Sequence, residues 1–87
     1  MRIRKIKIKE RIGKKIFRKH NILDKEIEEI LLEDEPLFFK TKHCRYMAIG
    51  YTNCYLTVIF NLHEYIADVV TAYNSSKWQK RLYRRKK

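Results

Sequence analysis

His20, Tyr73 and Tyr83 are side chains that could exchange a proton with a reacting group, and each has cations nearby in the chain. His20 follows Arg18-Lys19, Tyr73 precedes Lys77 by four positions, and Tyr83 lies between Arg81 and Arg84-Arg85. Histidine is the usual general acid or base, and a phenol joins it where neighbouring cations stabilise the phenolate. Lys19, Arg45 and Arg81 are cations suited to steadying a crowded anion, the arginines especially, because a planar guanidinium meets two phosphate oxygens at once. Each of these residues also has a plainer use. His20 could end a helix by bonding its last carbonyls; Arg45 could face solvent from a strand; Tyr73 could pack its ring at a strand-to-helix junction. His43 and His63 stand twenty apart with no acidic partner at metal spacing, and Cys44 and Cys54 lack C-x-x-C spacing, so no metal site and no disulfide framework is expected. The cysteines read as small, reduced core residues.

The charge is laid out in blocks. The formal net charge is +11, more than solubility needs. Residues 1–20 carry ten Lys and Arg against Glu10 alone, residues 21–36 carry seven acids against Lys25, and residues 74–87 carry seven bases and no acid. Segregated signs point to a directed anion-binding face, with Lys14, Lys15, Arg18, Lys77, Lys80, Arg84 and Arg85 as its phosphate contacts. No cofactor is implied. The N-terminus alternates charge with isoleucine, which excludes a signal-peptide core, and no apolar run is long enough to span a membrane, so a cytoplasmic protein is expected.

The elements that must carry these groups follow from periodicity. A chain of 87 residues that is 45% apolar supports one domain, residues 1–87, of α+β class. Residues 3–8 read as a half-buried strand with a lysine face. Ile12, Ile16 and Phe17 then mark a basic amphipathic helix ended by His20-Asn21. Asp24 is expected to cap a second, acidic helix over residues 24–35, with Glu26 in its first turn and Ile27, Ile30 and Leu31 inside. After Pro36 four strands are expected, at 37–40, 43–52, 54–61 and 65–73, paired as an antiparallel meander. Asp68 is placed on the face of Ile66, Val70 and Ala72, paired with a base. Ser76-Lys77-Trp78-Gln79 fits a capping box that opens a basic last helix, docked by Trp78 and Leu82. Trp78 could instead stack on a base.

This order of elements resembles the RelE-like toxins of toxin–antitoxin pairs, and within them the BrnT family. The resemblance rests on Arg18-Lys19-His20-Asn21-Ile22, on Arg45-Tyr46-Met47-Ala48-Ile49-Gly50 and on Val70-Thr71-Ala72 before a basic helix with Tyr83, spanning about residues 12–84. It implies metal-independent cleavage of mRNA through the substrate 2′-OH, for which Lys19, His20, Arg45, Tyr73, Arg81 and Tyr83 are this chain's candidate catalytic residues. It also implies a cognate antitoxin and RNA, free or on the ribosome, as partners. Two positions depart from the BrnT pattern: Tyr73 stands where an Arg is usual, and Gln79 where a Glu is. A non-catalytic nucleic-acid-binding module of the same fold is therefore the alternative, and attachment to a membrane surface or an acidic protein alone is the weaker third.

Overall fold

The computed structural model describes residues 3–33 and 36–86, and its elements follow the predicted order. Strand β1 (Lys5–Lys7) leads into helix α1 (Glu10–His20), which stops where Asn21 adopts a left-handed conformation at φ 57° and its N–H bonds Phe17 O. Helix α2 (Asp24–Glu28) continues as a π-helical turn, Glu29–Glu33. Residues 34 and 35, the expected end of this acidic helix, lie outside the described residues. Four strands follow, β2 (Leu37–Lys40), β3 (Arg45–Tyr51), β4 (Tyr55–His63) and β5 (Ile66–Asn74), and helix α3 (Lys77–Lys86) closes the chain.

The strands form one five-stranded sheet in the order β1-β5-β4-β3-β2. The meander from β2 to β5 is antiparallel as expected. The first strand joins it in parallel, with Lys5, Ile6 and Lys7 opposite Ile66, Ala67 and Asp68, which makes the sheet mixed. Helices α1 and α2 cover one face. Ile16, Ile22, Ile27, Ile30 and Leu31 pack there against Ala48, Leu56, Val58, Phe60, Ala67, Val69 and Ala72. Phe60 anchors this layer, stacked on Tyr46 at 5.8 Å and edge-on to Phe38 at 6.2 Å between ring centroids. Helix α3 packs on the opposite face, where buried Gln79 reaches Met47, Thr57 and Tyr73.

Several local expectations are corrected. Leu23, not Asp24, precedes the first turn of α2, and Glu26 reaches back to accept the Leu23 N–H at 3.0 Å. Strand β3 begins at Arg45, two residues later than read, because His43 and Cys44 both take left-handed φ angles of 64° and 60°. Both cysteines are exposed. A bulge between Ile59 and Phe60 shifts the β4–β5 register, so Val69 opposes Phe60 while Thr71 opposes Ile59. The bulge puts Asp68 on the face away from Ala72, with no cation of the described residues at ion-pair distance. Trp78 is 56% exposed and Leu82 half-buried; the α3 residue fully buried against the sheet is Gln79, at 1%. No described helix is long and apolar enough to cross a membrane.

Candidate functional site

The two basic segments are helices with the same charge spacing. Arg11, Lys14, Lys15 and Arg18 recur at intervals of three and four along α1, and with Lys9, Glu10 and Lys19 they line one open groove. Lys77, Lys80, Arg81 and Arg84 repeat the pattern on α3 and line a second cleft. Helix α1 turns Gly13 and Ile16 inward and α3 turns Gln79 to the sheet, which leaves most of the lysine and arginine heads to water. Glu10 offsets little of this charge, since its contact to Lys14 at 3.0 Å is a solvent-exposed pair within one helix. Arg85 is exposed and does not line the second cleft.

The stripes lie on opposite faces of the sheet and are linked at the end of β5. Strand β1 pairs only with Ile66, Ala67 and Asp68, which leaves the later part of β5 to the helices. There the C-terminus of α1 brings His20 to Tyr73, with ring centroids 6.4 Å apart. Tyr73 in turn meets α3, because its hydroxyl oxygen accepts a hydrogen bond from Gln79 Nε2 at 3.0 Å. The chain His20–Tyr73–Gln79 therefore runs from one basic helix to the other. Lys19 sits beside His20, and Arg81 belongs to the α3 cleft.

Gln79 is the organiser that the sequence pattern had marked only as a departure. Its Oε1 accepts the Ser76 N–H at 2.8 Å, the Ser76 hydroxyl at 3.2 Å and the Thr57 hydroxyl at 3.1 Å. The backbone donor fixes which end of the amide is oxygen, so the NH2 must face Tyr73 and Met47. Thr57 and Ser75 share a further hydrogen bond at 2.7 Å, which leaves this buried polar cluster well supplied with partners. An i, i+3 capping box was legible; that its Gln would also hold a strand tyrosine was not.

Arg45 is not gathered with this group. It stands on the same sheet face as Tyr73, but two strands across and four residues along, about 10 Å by about 13 Å. Its position is rigidly set, because Thr41 N–H and Thr41 Oγ1 both donate to Arg45 O, at 2.7 and 3.0 Å. The sheet register places it in a row with Asn61, Asp68 and Lys7. Tyr83 also lies elsewhere, edge-on to Tyr55 at 5.7 Å, with Tyr51 4.7 Å beyond Tyr55 and Arg84 over the Tyr55 ring at 5.5 Å. Tyr51 and Tyr55 were missed, although two tyrosines flanking the Thr52-Asn53 turn signal a cross-strand pair.

Among solved structures, the ribonuclease toxin BrnT of Brucella abortus is similar to this chain. The TM-score is 0.69 at 27% sequence identity, and the match covers 84% of this chain and 97% of that one. No family profile and no curated protein matches the sequence.

Proposed function

We propose that this chain, whose fold is BrnT-like, is the toxin of a toxin–antitoxin pair and an RNA endonuclease that needs no metal. The observation that carries the reading is the likeness over nearly the whole length of a ribonuclease toxin. The local chemistry supports it. His20 and Tyr73, 6.4 Å apart between two cationic stripes, can both reach one phosphodiester.

In the mechanism, His20 removes the proton of the ribose 2′-OH, and that oxygen attacks the adjacent phosphorus. The bond from phosphorus to the 5′-oxygen breaks. Tyr73 gives its proton to the departing oxygen, leaving a 2′,3′-cyclic phosphate on one fragment and a 5′-hydroxyl on the other. Gln79 favours this role. By donating to the phenol oxygen it stabilises the phenolate that forms, and it leaves the Tyr73 O–H free to point at substrate. Lys19 and Arg81 supply charge to the phosphate as negative charge grows on its oxygens. Arg45 holds the strand further along, as a binding contact two strands away. An antitoxin would silence the protein by covering the cationic stripes with an acidic or amphipathic segment. Such a toxin would act in the cytoplasm, on free or ribosome-bound mRNA.

The test is cleavage of single-stranded RNA by purified protein in excess EDTA, with and without ribosomes, and analysis of the new ends. His20→Ala and Tyr73→Phe should each slow cutting by about 10²–10⁴-fold while the fold is kept. Intact RNA under every condition, with parent and variants equally well tolerated on expression, sinks the enzyme reading. The second reading, a binding module without cleavage, is favoured by Tyr73 standing in place of the Arg usual in BrnT-like sequences. It predicts salt-dependent RNA binding in that same assay and no new ends.

A further inference from the structure

The tip of the β3–β4 hairpin carries an aromatic surface that the cleavage reading does not use. Tyr51 and Tyr55 are direct cross-strand partners at the end of the ladder, with ring centroids 4.7 Å apart and planes tilted by 55°. Tyr55 is half-buried and held in place from α3, by the edge of Tyr83 and by the Arg84 guanidinium above its ring. Tyr51 is the outer member and is 45% exposed. A large aromatic ring left this open costs burial energy, yet its neighbours have already fixed the surface on which a flat group would land.

The cluster is continuous with the cationic stripe. Arg84 belongs both to the cleft of Lys77, Lys80 and Arg81 and to the Tyr55 ring contact. Tyr51 also lies on the same sheet face as Tyr73, two strands across and two residues along, about 12 Å away at the backbone. That separation is on the order of two nucleotides of extended strand. Fixed cations for phosphates beside an exposed aromatic for bases are the two components of single-strand recognition. A duplex could use the cations but could not offer the face of a base.

We propose that Tyr51, backed by Tyr55, Tyr83 and Arg84, is a base-stacking platform that makes this protein select single-stranded over duplex RNA. The proposal rests on the reading of the chain as an RNA-directed toxin. It deepens that reading by placing a base about two nucleotides from the cleaved bond on the hairpin tip.

Binding of a short 2′-O-methylated RNA, which cannot be cut through its 2′-oxygen, separates the platform from catalysis. Fluorescence anisotropy would compare the single strand with a duplex of equal length for the parent, Tyr51→Ala, Tyr51→Trp and Arg84→Ala, all matched for melting temperature. Tyr51→Ala should weaken single-strand binding tenfold or more, leave duplex binding within twofold, and leave the salt slope unchanged, whereas Tyr51→Trp should restore affinity. Arg84→Ala should flatten the single-strand slope by about 0.7. Single-strand affinity unchanged in Tyr51→Ala, or an equal loss for duplex, overturns the platform. Loss of antitoxin binding with RNA affinity intact overturns it too and assigns the tip to a protein partner. A parent that binds the methylated strand through Tyr51 yet cuts no RNA leaves the platform standing while the cleavage reading falls.

Discussion

A neutral amide at position 79 sets the protonation logic of the neighbouring tyrosine. Gln79 Oε1 is committed to the Ser76 N–H, so the group facing Tyr73 is a donor and the phenol oxygen an acceptor. A carboxylate at 79 would reverse this contact: it cannot donate, and Tyr73 would have to turn its own proton inward. Gln79→Glu is therefore expected to keep the helix cap, since a carboxylate still accepts from Ser76, but to lower cleavage by taking the Tyr73 proton away from the substrate. Single-turnover cleavage beside a melting curve checks it, and unchanged cutting would remove Tyr73 from the proton-donor role. Gln79→Leu tests the structural part of the same residue. It strips the Ser76 N–H and the Thr57 hydroxyl of a buried acceptor, which should cost about 2–3 kcal/mol in urea unfolding. The residues of this cluster were individually visible as a capping box and a strand-end tyrosine. Their meeting was not, because it depends on α3 folding back over the sheet face that carries Thr57 and Tyr73.

At the scale of elements, α1 must stop at His20 for that imidazole to reach β5. Asn21 ends the helix by adopting φ 57°, a conformation in which Cβ crowds the backbone for most residues and which Asn and Gly tolerate best. Asn21→Ala should cost about 1 kcal/mol, lowering Tm by roughly 4–8 °C for a domain of this size, while Asn21→Gly should be near neutral. Differential scanning calorimetry distinguishes the two. Equal losses would mean that Asn21 matters through its side chain instead. This stop was readable as His20-Asn21, because helix ends obey local rules. The placement of the first strand was less readable: a three-residue strand pairs with β5 across most of the chain length, and nothing in Lys5-Ile6-Lys7 says which edge it will take. The start of β3 escaped for a related reason, since left-handed His43 and Cys44 are held by a turn that Thr41 closes onto Arg45.

For the whole molecule, the question is how far two stripes on opposite faces act as one electrostatic surface. Each phosphate that a cation neutralises on a single strand should add about 0.7 to the slope of log K against log salt. Replacing Lys14, Lys15 and Arg18 together with Ala is expected to flatten that slope by about 2 for a strand long enough to wrap the β5 end. For a strand too short to leave the α3 cleft, the same variant should leave it unchanged. Titrations at several salt concentrations decide this, and an equal effect on both lengths would show that the helices bind independently.

Composition and periodicity alone determined that the two ends are cationic, that each carries a basic helix, and that an α+β core lies between them. Those features depend on residues within a turn or two of one another, where steric and capping rules act. Tertiary structure decided which cations share a site. It set Arg45 apart from Tyr73, exposed Trp78 and buried Gln79 in its place, turned Asp68 to the other face through the bulge, and joined His20 to Tyr73 across the edge of β5. Those outcomes follow from register, from strand pairing over long separations and from the face of the sheet that α3 covers. Each is fixed by packing the whole core at once and by no local stretch of chain.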